Sequence, residues 1–128
     1  MDDEQFDELV RQALDSLPDE IAARVNNMDV EVQAWPTPDQ LRSARVPSGA
    51  TLLGLYQGIP LTRRSSGYQL VPPDRITIFR GPLESISRSE EDFVERVRAT
   101  VIHEVAHHFG ISDERLHEIE AARKRRTQ

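Results

Sequence analysis

Between Asp3 and Leu17 the apolar residues Phe6, Leu9, Val10, Ala13, Leu14 and Leu17 recur in alternating steps of three and one. That spacing predicts an amphipathic helix with one buried stripe. Asp3 and Glu4 in its first turn suit the positive end of the helix dipole, and Pro18 stops it. Pro18-Asp19-Glu20 opens a second short helix to about Arg24, and Asn26-Asn27 marks a turn. From Met28 to Trp35 the period changes to two. Met28, Val30, Val32 and Ala34 alternate with Asp29, Glu31 and Gln33, the pattern of a half-buried strand. Pro36 and Pro38 end it, and Asp39 to Arg45 is expected to form a helical turn.

The middle of the chain is broken more often. Pro47-Ser48-Gly49 interrupts it, and Leu52 to Tyr56 then reads as a short strand. Gln57-Gly58-Ile59-Pro60 is expected at a sheet margin, because proline cannot donate to a ladder. Arg63 to Gly67 reads as an exposed loop, and Tyr68 to Val71 as a brief extended stretch before Pro72-Pro73-Asp74. Arg75 to Arg80 is the clearest strand, rich in β-branched residues, with Gly81-Pro82 expected to end it.

Helical spacing returns in the last third. Ser89 followed by Glu90, Glu91 and Asp92 is a capped helix start. Phe93, Val94, Val97, Val101, Val105 and Phe109 then carry one apolar face, and Gly110 is a natural terminator. Ser112 can cap a last helix to about Arg125, with Leu116, Ile119 and Ala122 inward. Two helices, a group of short strands and two more helices predict a single α+β domain over residues 1–128. Its helices should pack on one face of a small mixed β-sheet.

Composition narrows the function. The chain has 128 residues, 38% of them hydrophobic and only seven aromatic, so the core must be thin and mostly aliphatic. A net charge of −6 argues against a general nucleic-acid surface. The one basic run, Arg123 to Arg126, reads as a solvated helix end whose cations suit the dipole. There is no cysteine, so disulfides and thiolate metal sites are excluded and any metal must use histidine and carboxylate. No stretch approaches the ~18 apolar residues of a membrane span. The acidic start Met1-Asp2-Asp3-Glu4 is unlike a signal peptide, so a cytoplasmic protein is expected.

The chemistry concentrates in His103-Glu104-Val105-Ala106-His107, with Gly110 and Asp113 following. On a helix, residues four apart share a face, so His103 and His107 can present two imidazoles to one zinc ion. Glu104 is rotated by about 100° from His103. It can therefore stand beside the attacking water as general base rather than bind the metal. The third ligand must come from beyond the helix. Asp113 stands where the chain can return after glycine; His117 and Glu120 compete with it, and His108 is turned off the ligand face.

With these residues in view, the chain resembles the small bacterial zincin-like metallopeptidases, a minimal zincin domain of about this length. The stretches that carry the resemblance are Leu52 to Ser65, Arg75 to Glu84 and the motif from His103 to Asp113, with the N-terminal helix ending in Leu17-Pro18 also similar. The resemblance implies a zinc-dependent hydrolase with His103, His107 and Asp113 as ligands and Glu104 as the catalytic glutamate. The motif is also similar to that of the metzincins, which place a third histidine at the last position and a Met-turn further on. Here the only methionines are Met1 and Met28, both upstream, which favours the minimal family.

A peptide or protein substrate is expected along a sheet edge, either Leu52 to Gly58 or Arg75 to Arg80. Tyr56, Tyr68, Arg63 and His117 are candidates to steady the oxyanion. The rival expectation is a zinc-stabilised module that binds a peptide or partner without cleaving it, since zinc would add folding free energy to a thinly cored domain.

Overall fold

The computed structural model describes residues 1–47, 49–58 and 74–127, with side chains described as far as Ala122. It contains, in order, α1 (Asp3–Asp15), α2 (Asp19–Val25), β1 (Asp29–Gln33), α3 (Pro38–Ser43), β2 (Gly54–Gln57), β3 (Arg75–Phe79), α4 (Arg80–Ile86), α5 (Glu90–Phe109) and α6 (Asp113–Thr127). The architecture is α+β, as the periodicities predict. No helix among the described residues is long and apolar enough to cross a membrane.

Two of the early helices are set by a side-chain cap. The Asp2 side chain accepts the Gln5 N–H at the start of α1, and Thr37 with Gln40 forms a reciprocal capping box at the start of α3. The three strands form one mixed sheet in the order β1-β3-β2, with β1 parallel and β2 antiparallel to β3. Arg75–Phe79 is therefore the central strand. That corrects one expectation: Arg75 to Arg80 is not a sheet edge, and of the two stretches considered only β2 is one among the described residues.

α5 is the axis of the core. Phe93, Val97, Val101 and Val105, spaced by four, are fully buried along one side of it. They meet Phe6 and Val10 of α1, Ile21 of α2 and Ile76 and Ile78 of β3 in one apolar cluster. Phe6 and Phe93 pack with ring centroids 5.3 Å apart and planes tilted by 60°. Burying such a side chain contributes about 1.5–3 kcal/mol, so this stripe anchors the helix that carries the motif.

The strand ends at Phe79, close to where Gly81-Pro82 is expected to end it, but a helix absent from the sequence reading follows. α4 starts at Arg80, directly after β3. Proline is tolerated in a first helical turn, where its missing N–H has no partner to lose. Gly81 is needed for a different reason: a Cβ there would stand 2.2 Å from the Trp35 ring, which lies against this backbone. Arg80 then ties the turn back to the N-terminus through Asp3 and the Met1 carbonyl, at 2.5 and 2.7 Å.

Candidate metal centre

The motif occupies the last two turns of α5. Ser89 accepts the Asp92 N–H at 3.0 Å and caps the start of this helix. At its other end Gly110 takes the left-handed conformation, φ 68° and ψ 27°, and Ile111 N–H closes the turn on the Ala106 carbonyl at 2.8 Å. Val101 and Val105 face the core, so His103 and His107 are turned outward and are exposed. Their i,i+4 spacing puts both imidazoles on one face, as two ligands of one ion require.

Glu104 is held differently. It is half-buried, and burial raises its pKa above the ordinary carboxylate value. Three features oppose that shift: a hydrogen bond donated by the Tyr56 main-chain N–H, and the nearby imidazoles of His103 and His107. The environment comes from β2. Gly54 lies so close to α5 that a Cβ would stand 2.6 Å from Thr100 Cγ2, 3.3 Å from the Thr77 carbonyl oxygen and 3.7 Å from Glu104 Cγ. Only a glycine lets the strand approach the helix this far, and that approach puts the next outward N–H on the glutamate.

The register explains why that N–H is available. Phe79 N–H donates to the Leu53 carbonyl at 3.0 Å, so alternate residues of β2 bond to β3. Gly54 and Tyr56 fall on the other alternation, and their main-chain groups point to the open edge. The Tyr56 ring stacks on His108 with centroids 3.7 Å apart, and its hydroxyl donates to Asp74 at 2.5 Å. His108 is thus a packing partner of β2, in agreement with its expected position off the ligand face.

Among the described residues His103 borders three hollows, one of them beside Thr51 to Gly54, Thr100 and Glu104, and the other two bear on the metal donors. One of these two, of about 350 Å³, lies along β2 and is bounded by Gly54, Tyr56, Glu104, His107 and His108. The other, of about 600 Å³, separates α5 from α6 and is bounded by Arg98, Asp113, His117 and Glu120. The structure therefore brings His103, Glu104 and His107 together on one hollow, and Asp113 and His117 onto the neighbouring one with His103. Among the described residues no three His, Asp or Glu side chains gather closely enough to hold a metal. The chemistry of the donors nevertheless suits zinc: two imidazoles fixed on a rigid helix, with a carboxylate and a third imidazole across the adjoining cleft. Tyr68 and Arg63 lie outside the described residues.

Sequence reasoning missed the parts supplied by β2 and by the far end of α5. The signal for Gly54 was present: a glycine inside a strand pattern marks close approach of another backbone or side chain. The Tyr56 contribution is a main-chain group and leaves no trace in residue type. Arg98, buried beside the cleft and paired with the partly buried Glu120, looks in the sequence like an ordinary surface charge, and Glu120 enters there only as a competing metal ligand, not as its partner.

Comparison with known proteins bears on the fold and the family. A solved conserved hypothetical protein from T. thermophilus is similar over 84% of this chain and 92% of its own, at 21% identity and a TM-score of 0.52, a likeness of fold. No curated protein matches. The model of the zincin-like metallopeptidase family matches residues 25–123, which takes in the whole sheet, α5 and most of α6. The chain belongs to the zincin-like metallopeptidase family.

Proposed function

We propose that this protein is a zinc-dependent metallopeptidase that hydrolyses a peptide laid along β2. The observation that supports it most is the placement of Glu104: a half-buried carboxylate one residue from His103, its position fixed by the Tyr56 N–H. A general base works best with a pKa drawn toward the operating pH, and burial moves this carboxylate in that direction.

His103 and His107 would hold one zinc ion, with Asp113 as third ligand and His117 as its competitor. When bound, zinc supplies Lewis acidity, polarising a carbonyl and making water easier to deprotonate. Glu104 takes the proton from the attacking water and later delivers it to the leaving amine. Its carboxylate stays oriented because the Tyr56 N–H occupies one of its lone pairs. The substrate main chain pairs with the outward groups of Gly54 on the β2 edge, a mode that selects extended peptides with little regard to sequence.

Cleavage of a mixed peptide library before and after chelation, followed by zinc add-back, tests this. The proposal expects cleavage that chelation abolishes and zinc restores. No cleavage of any peptide, together with a melting temperature that zinc raises, would assign the chain to the rival class of zinc-stabilised binding module.

A further inference from the structure

The cleft between α5 and α6 has a charged hinge pin at the end away from the motif. Arg98 is 7% exposed, and one of its terminal nitrogens lies 2.6 and 2.8 Å from the two carboxylate oxygens of Glu120. Its Nε donates to the Ser16 carbonyl at 3.3 Å, so the same guanidinium ties α5 to α6 and to the end of α1. We propose that Arg98 and Glu120 are positioning residues that set where the first turn of α6 stands over His103, and with it the third metal donor. This rests on the metal-centre assignment above.

Two features make the pair matter. First, Asp113, His117 and Glu120 follow at spacings of four and three, so they share one face of α6. That face lines the cleft together with Arg98 and His103. The clamp closes one end of the cleft, and the donors stand at the other. Second, among the described residues α6 has few other holds, with Leu116 packing only partly buried against the core. Ile119 is its one buried apolar side chain among the described residues, and Arg115 reaches Glu20 only through an exposed pair at 3.0 Å. Exposed pairs of that kind contribute little. A small rotation about Gly110 would move Asp113 and His117 relative to His103, and the buried clamp is what opposes it.

The experiment measures zinc affinity of the full chain by competition with a chromophoric chelator, with folding checked by circular dichroism. Arg98→Met and the milder Glu120→Gln are each combined with Asp113→Ala and His117→Ala. Arg80→Met serves as control, because it removes a comparable clamp on α4 that borders neither hollow. The expected result is zinc binding weakened about tenfold in Arg98→Met and less in Glu120→Gln, the scale seen when outer partners of metal ligands are removed. Arg80→Met should lower the melting temperature with zinc affinity unchanged. The loss in Arg98→Met should also shrink when the third donor is already gone, since it acts through that donor. Wild-type affinity in both clamp variants overturns the proposal, as does an undiminished loss in the Asp113→Ala and His117→Ala backgrounds. If Arg98→Met does not fold, Glu120→Gln decides alone. If His103→Ala binds zinc as tightly as wild type, the metal-centre assignment itself fails and the positioning role falls with it.

Discussion

The main-chain N–H of Tyr56, on an edge strand, donates a hydrogen bond to the carboxylate of Glu104, on the central helix of the core. The contact joins the surface on which a peptide would lie to the group that would move its protons. It exists because Gly54 lets β2 close on α5, and because the strand register points that N–H outward.

Replacing Gly54 tests the approach directly. A Cβ there would meet Thr100 Cγ2 at 2.6 Å, and overpacking of this kind costs about 1–3 kcal/mol. Gly54→Ala should lower stability by that amount in urea denaturation. Adding Thr100→Ser removes the clashing methyl and keeps the hydroxyl that donates to the Arg96 carbonyl at 2.7 Å, so it should recover much of the loss. A Gly54→Ala protein as stable as wild type would show that the close approach is dispensable.

Glu104 should make the metal-free protein sensitive to pH. Its folded-state pKa is raised, so the protonated form is favoured on folding. The stability it contributes is fully present below the ordinary carboxylate value of 4.5 and is lost as pH rises through the folded pKa. Melting in chelator between about pH 4.5 and 7 should therefore show Glu104→Gln gaining on wild type as pH rises. A constant difference between the two across that window would contradict the burial of this carboxylate.

His107 and His108 are adjacent and are assigned different tasks. His107→Ala should abolish zinc binding. His108→Ala should keep zinc and lose the stack on Tyr56, at a cost of about 0.5–1.5 kcal/mol in stability. Zinc titration and thermal melting of the two variants separate the tasks; loss of zinc in His108→Ala would reverse the assignment.

Thr77 offers a change that should help. Its hydroxyl is buried at the centre of the sheet and has no hydrogen-bond partner among the described residues. Leaving such a group unpaired costs about 1–3 kcal/mol, and valine keeps its shape and its β-branch. Thr77→Val should raise the melting temperature. A lower one would mean that the hydroxyl has a role in the fold after all.

Much of this was legible in residue order. The four-residue spacing of Phe93, Val97, Val101 and Val105 marks the core stripe of α5, and so fixes His103 and His107 on the opposite, outward side. Ser89 and Gly110 mark its ends, and the β-branched run at Arg75 marks a strand, though not its central place in the sheet. What was not legible depends on partners distant in the chain. α4 follows β3 without a gap, and its Gly81 leaves room for the Trp35 ring; nothing near Gly81 announces a tryptophan 46 residues earlier. Burial raises the pKa of Glu104 while the Tyr56 N–H of β2 opposes the shift, and the proposed positioning of Asp113 depends on how α6 is held by Arg98 and Glu120. Periodicity reports which face of an element is buried, not what it is buried against.

The most direct test of the account is peptide cleavage by zinc-loaded wild type and Glu104→Gln, with zinc content measured on the same samples. The account predicts equal zinc in both and hydrolysis in wild type alone, with the variant slower by at least about a hundredfold. Equal hydrolysis by the two proteins would contradict it.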